Sequence, residues 1–122
     1  PQRILQPVQI PTLHITATGD VIRIPGYYSP YEDRLAVFQA TGSAKKTLAV
    51  FDGGSHSMFT DRPGTGGVEL NGQVKTATRE LALAFAQTQL GLAEPPVQNL
   101  QDWVTRHRPI LSKVLTPGLA LV

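Results

Sequence analysis

The chain has 122 residues, of which 41% are hydrophobic and 16% are charged, a composition typical of one globular domain or of part of a larger one. Its formal charge of +2 is small and its 11 basic residues are scattered, which argues against a nucleic-acid-binding surface. No window approaches the roughly 20 apolar residues of a membrane-spanning helix, so we expect no membrane partner. The absence of cysteine excludes disulfides and thiolate metal sites, and it leaves the compartment open.

Two apolar, β-branched segments are predicted to form strands. Residues 10–16 are bounded by Pro11 near the start and by Gly19 after the end, and their length suits a strand. Residues 46–52 contain an almost uninterrupted apolar run closed by Gly53-Gly54. Such a run is typical of a strand covered on both faces, as in a parallel sheet.

The segment between these strands carries a helix start signal. Ser29 stands where an N-cap belongs, Pro30 follows as the first helical residue, and Glu32 comes three residues after the cap, which is the capping-box pattern. A strand, a helix and a strand in this order predict a βαβ unit with a right-handed crossover. The predicted fold class is therefore α/β.

Two more helices are predicted after the second strand. Apolar residues recur at three- and four-residue spacing over residues 73–90, and Gly91 follows as a stop. Another helix is predicted to begin at residue 99 and to break near Pro109, because proline lacks the backbone donor that a helix interior needs.

Two polar motifs follow the predicted strands. The first strand ends in Thr18-Gly19-Asp20 and the second in Gly53-Gly54-Ser55-His56-Ser57. Acyl-transfer enzymes pair such an acid and histidine to activate a serine, because the imidazole takes a proton while the carboxylate fixes its tautomer. The sequence contains no Gly-x-Ser-x-Gly turn, and neither Ser55 nor Ser57 is framed by glycines as a nucleophile elbow requires. The acid and the base of a triad are therefore predicted here without the nucleophile.

The order of these motifs, the capped helix and the long amphipathic helix resembles the C-terminal half of an α/β-hydrolase, closest to the dienelactone-hydrolase-like branch of predicted esterases. The resemblance implies that residues 1–92 hold the last two parallel strands of the sheet with their flanking helices. Residues 93–122 are then expected to form a helical C-terminal extension. Such a sheet is incomplete without an N-terminal half.

The resemblance also implies roles for individual residues. Asp20 corresponds to the triad acid and His56 to the general base. The expected partner is the N-terminal half of the same hydrolase, which carries the nucleophilic serine, and the expected substrate is a small carboxylic ester. No metal and no organic cofactor is implied.

Apolar residues beside the two motifs are candidates for substrate contacts. Val21 and Ile24 follow the acid, and Met58 and Phe59 follow the base, so all four border the expected pocket. The alternative for residues 21–28 is a loop that only packs against the edge of the sheet.

Other interpretations remain open at this point. The alternative function is a non-catalytic α/β interaction module derived from a hydrolase half, which the missing nucleophile suggests. The aromatic pair Tyr27-Tyr28 suggests, more weakly, a lipase-like or polyester-cleaving enzyme. His14 is expected to be a structural histidine within the first strand and His107 a surface or packing residue, and three scattered histidines do not predict a zinc site.

Overall fold

The computed structural model describes residues 2–60, 67–92 and 96–122. Short 3₁₀ turns occupy His56–Phe59 and Arg108–Ile110. The regular elements, in chain order, are α1 (Gln2–Leu5), β1 (Thr12–Ala17), β2 (Ile22–Ile24), β3 (Tyr27–Ser29), α2 (Glu32–Ala40), β4 (Lys46–Phe51), α3 (Val68–Gln89), α4 (Pro96–His107), β5 (Leu111–Thr116) and β6 (Leu119–Ala120).

Four strands form one mixed sheet in the order β1-β4-β5-β6. The predicted pair β1 and β4 runs parallel, in a register from Thr12 opposite Lys46 to Ala17 opposite Phe51. Strand β5 pairs antiparallel with β4, and β6 pairs antiparallel with β5. The α/β class and the parallel strand pair are confirmed.

The expectation of a wholly helical extension over residues 93–122 is wrong after His107. Helix α4 ends there, and a 3₁₀ turn through Pro109 leads into β5. Pro109 ends the helix as predicted, but the residues that follow pair with β4, with Val114 fully buried. Pairing with the buried strand β4 outweighs the local secondary-structure preference of these residues. The reason is that β propensity depends largely on packing against neighbouring strands.

Helices cover the two faces of the sheet. Helices α3 and α4 lie on one face and pack over a hydrophobic core. Phe51, Val74 and Val114 belong to this core and have no exposed surface. Trp103 closes this core, and its indole Nε1 donates a 2.9 Å hydrogen bond to the Ala77 carbonyl. Helix α2 lies on the other face, where Leu48, Val50 and Phe38 form a second cluster. No described helix is both long and apolar enough to cross a membrane.

Helix α2 begins later than the capping box predicts. Its first residue is Glu32, and no side chain caps it. Ser29 lies instead at the end of β3, where its hydroxyl donates a 2.6 Å hydrogen bond to the Asp33 carboxylate. Helix α3 ends as expected, since the amides of Gly91 and Leu92 donate to carbonyls of its last turn.

We expect His14 to make the fold sensitive to acid. Its ring lies edge-on against Phe38 with centroids 5.2 Å apart, and Nε2 lies 3.0 Å from the Thr12 hydroxyl. Burial, and to a lesser extent the positive charge of Lys46, lowers the pKa of His14 below its ordinary 6.5. The unfolded chain therefore binds this proton more readily than the folded one, so stability should decrease as the pH falls below about 6.5.

Urea unfolding at pH 7.5 and at pH 5.5 measures this effect. The free energy of unfolding should fall between the two values in the wild type, and it should fall less in His14→Gln, which cannot titrate. An equal fall in both proteins would show that His14 does not cause the acid sensitivity.

Candidate functional site

The site lies at the edge of the sheet where β1 and β4 end. Because these strands are parallel, Ala17 and Phe51 finish side by side. Asp20 follows three residues after the end of β1, and His56 follows five residues after the end of β4. Loops at the carboxyl ends of parallel strands are the usual place of binding sites in open α/β sheets.

The carboxylate of Asp20 and the imidazole of His56 meet across this edge. Asp20 Oδ1 and His56 Nδ1 are 2.7 Å apart. Asp20 is only 5% exposed, whereas the His56 side chain is 58% exposed. An Nδ1 bound to a carboxylate carries its hydrogen, so Nε2 is the ring nitrogen that points away from Asp20. Within the described residues, no hydrogen bond to Nε2 is found.

Two further side chains hold the Asp20 carboxylate. Thr16, near the end of β1, donates a 2.8 Å hydrogen bond from its hydroxyl to Oδ2. The Nη2 of Arg34, in the first turn of α2, lies 3.6 Å from Oδ1. Both oxygens of a nearly buried acid are thus compensated, as a buried carboxylate requires.

Arg34 also ties the acid to the β2–β3 hairpin. Its Nη1 donates a short hydrogen bond to the hydroxyl of Ser29. Ser29 is 2% exposed and in turn donates to Asp33. One guanidinium therefore bridges the last residue of β3 and the carboxylate that contacts His56.

The two loops that bear the acid and the base interlock through their backbones. The amide of Gly53 donates to the Thr18 hydroxyl at 2.7 Å, and the amide of Gly19 donates to the Gly53 carbonyl at 3.3 Å. A Cβ at Gly19 would stand 2.1 Å from the carbonyl oxygen of Gly54, so only glycine permits this approach. Gly54 has φ +78, and a Cβ there would stand 2.1 Å from the Met58 sulfur.

The four predicted substrate-contact residues differ in their exposure. Val21 is half-buried, and Ile24 is 59% exposed on the β2–β3 hairpin that begins just after the acid. Phe59 is half-buried against Phe51, with ring centroids 6.2 Å apart. Met58 has no exposed surface and lies in the core beneath His56, so it supports the base loop and offers no surface to a ligand.

The other residues considered from the sequence are Ser55 and Ser57, which flank His56 in sequence, and His107, which lies on another helix. The hydroxyls of Ser55 and Ser57 are 3.0 Å apart and flank His56 on the 3₁₀ turn. His107 lies on α4, where its Nε2 contacts Glu80 at 2.8 Å. The hydrogen bond from His107, more than that from Arg106, lowers the pKa of Glu80. His107 thus has a packing role, as expected.

Sequence interpretation missed Thr16 and Arg34. Thr16 carries no signal of its own, because threonine is common in strands. Arg34 does carry one, since a cation in the first turn of a helix opposes the helix dipole and therefore indicates a nearby anion.

Comparison of the chain with protein-family models, with curated proteins and with solved structures finds no match. Over the residues that the structure describes, no group of three or more histidine, aspartate or glutamate side chains is arranged to hold a metal ion.

Proposed function

We propose that this chain carries the acid and the base of a serine hydrolase that cleaves small carboxylic esters through an acyl-serine intermediate. The nucleophile comes from an N-terminal segment of the same hydrolase or from a second chain. The observation that carries the proposal is the 2.7 Å contact between Asp20 Oδ1 and His56 Nδ1 at the end of two parallel strands.

The chemistry follows from the two ring nitrogens. Nε2 of His56 removes the proton of the serine hydroxyl as the oxygen attacks the ester carbonyl, and Asp20 stabilises the imidazolium that forms. The imidazolium then gives its proton to the leaving alkoxide, which departs as the alcohol and leaves an acyl-serine. Nε2 next removes a proton from water, hydroxide attacks the acyl carbon, and the serine oxygen leaves with that proton.

Burial and exposure support these roles. The acid is 5% exposed and has fixed partners, which suits a group that orients another group and does not itself meet substrate. The base is the exposed member, so Nε2 can be reached by a hydroxyl from another part of the protein. Geometry of this kind is the first requirement for a general base.

A fluorophosphonate probe tests the proposal on the protein as it occurs, with any polypeptide that accompanies it. Intact mass first shows which polypeptides are present. The probe should then label one serine outside these 122 residues, and His56→Ala should abolish most of the labelling, because the serine loses the base that activates it.

The control for surface disturbance is Asp52→Asn, which changes a carboxylate near the end of β4 that contacts Thr18 but not His56. It should label like the wild type. Undiminished labelling of His56→Ala would contradict the role of His56, and labelling of Ser55 or Ser57 would place the nucleophile inside this chain.

One observation favours the second candidate, a non-catalytic interaction module. Strand β1 pairs only with β4 among the described strands, and an open strand edge is a template for pairing with another chain. A stable complex that no serine-directed probe labels would support the module over the hydrolase.

A further inference from the structure

Asp20 poses a charge problem that the hydrolase roles alone do not solve. Its side chain is 6% exposed, and a carboxylate withdrawn from water is unfavourable unless positive charge lies close by. A neutral imidazole and the hydroxyl of Thr16 supply hydrogen bonds but no charge. The resting site therefore needs a cation.

Arg34 is the permanent cation in contact with this carboxylate among the described residues. Its Nη2 lies 3.6 Å from Asp20 Oδ1, the same oxygen that contacts His56. The hydroxyl of Ser29 holds Nη1 from the other side, so the guanidinium cannot swing away without losing a buried hydrogen bond.

The summed charge of Asp20, His56 and Arg34 shows how Arg34 affects proton uptake by the pair. With His56 neutral, Asp20 and Arg34 sum to zero. If the pair of Asp20 and His56 binds a second proton, the three groups together carry +1, and the positive charge of Arg34 beside Asp20 opposes this added charge. Without Arg34, the doubly protonated pair is the neutral one, and proton uptake becomes easier.

The other charged side chains near the site do not reverse the effect of Arg34 on proton uptake. Asp33 on α2 is exposed and bound to Ser29, so solvent screens it from the pair. Asp52, after β4, is also exposed and faces Thr18. Arg23 on β2 lies over the Tyr28 ring, 5.2 Å from its centroid.

We infer that Arg34 is a positioning residue whose positive charge, held against Asp20, opposes the uptake of a second proton by the Asp20–His56 pair. The inference rests on the proposed function for its catalytic meaning. General bases work best when their proton affinity matches the operating pH, and a histidine beside an uncompensated carboxylate binds its proton too tightly. Arg34 sets that balance through Asp20.

Nitrogen-15 NMR of the His56 ring tests the inference without substrate. The protein as it occurs is labelled at histidine, and His56 resonances are assigned by their loss in His56→Ala. In Arg34→Gln, which keeps polar hydrogens but removes the charge, Nε2 should become protonated at a higher pH than in the wild type. Arg34→Lys keeps the charge and should restore most of the wild-type titration.

Arg23→Gln is the matched control, because it removes the same charge from the adjacent hairpin without touching Asp20. It should leave the His56 titration in place. An unchanged titration in Arg34→Gln, or an equal shift in Arg34→Lys, would overturn the inference. Should Arg34→Gln not fold, Ser29→Ala releases the guanidinium and should shift the titration in the same direction by less, and no shift would again overturn it.

The kinetic readout separates this role from a structural one. In the active hydrolase, Arg34→Gln should move the acidic limb of the pH profile of kcat/KM to higher pH and keep the alkaline plateau, whereas a damaged fold would lower the plateau alone. If no serine is labelled by the probe but the NMR shift appears, the proposed function fails and the role of Arg34 stands.

Discussion

Replacing Gly19 with alanine is expected to destabilise the protein by about 1–3 kcal/mol and to separate the acid from the base. The added Cβ would stand 2.1 Å from the carbonyl oxygen of Gly54 and 2.9 Å from its carbon, and both atoms are backbone. No side-chain rotation relieves the clash, so one loop must move by more than about 1 Å. The hydrogen bond from the Gly19 amide to Gly53 must stretch with it.

The movement of the loop should also change the contact between Asp20 and His56 in a way that can be measured. Asp20 directly follows Gly19, so its contact with His56 is lost or lengthened, and misplacement of catalytic groups by about 1 Å can cost roughly 100-fold in rate. Urea unfolding measures the stability change, and the low-field Nδ1 proton of His56 in NMR reports the contact.

Gly72→Ala is the control for the Gly19 experiment. Gly72 lies inside α3, and among the described residues no atom apart from the adjoining helix backbone lies within 4 Å of where its Cβ would be. Alanine there should stabilise the protein by about 0.5–1 kcal/mol, because glycine weakens a helix interior. Equal stability changes at the two positions would show that the loop contact at Gly19 does not restrict the side chain.

The sequence predicts that Asp20 and His56 lie close together, because their positions depend on local signals. The apolar runs ending at Ala17 and Phe51 are closed by glycine motifs, and parallel pairing then brings whatever follows them to one edge. The meeting of Asp20 and His56 needed only strand boundaries and topology, and the structure confirms that contact.

The remaining parts depend on strand pairing and side-chain contacts that the local sequence patterns do not encode. The sequence predicts a helical continuation over β5, whereas these residues form a strand because they pair with β4, about 60 positions earlier. Ser29 was assigned to a helix cap because its serine-proline-acid pattern fits one, whereas the hydroxyl bonds Asp33 and Arg34. The position of Arg34 in the first turn of α2 indicates a nearby anion but does not identify it as Asp20, which lies in another loop.

If the proposed hydrolase function holds, Asp20→Asn should lower kcat/KM by about 10⁴-fold, the loss seen when a triad acid becomes an amide. The hydroxyl of Thr16 donates to one oxygen of the wild-type carboxylate, so an asparagine that keeps this contact presents its NH₂ group to His56 Nδ1. Nδ1 must then accept, the hydrogen moves to Nε2, and the base faces the serine already protonated. The substitution also leaves Arg34 without its anion, which should reduce stability by about 1–3 kcal/mol.

Kinetics and ring NMR together distinguish the tautomer effect from a general loss of structure. Asp20→Asn should fold, show the Nε2–H form of His56 and retain substrate binding, so that the loss falls mainly on kcat. Asp52→Asn removes the same charge from an exposed carboxylate near the base loop and should keep both the wild-type tautomer and the rate. A folded Asp20→Asn with the wild-type rate would show that the acid does not fix the imidazole and that the site works by another route.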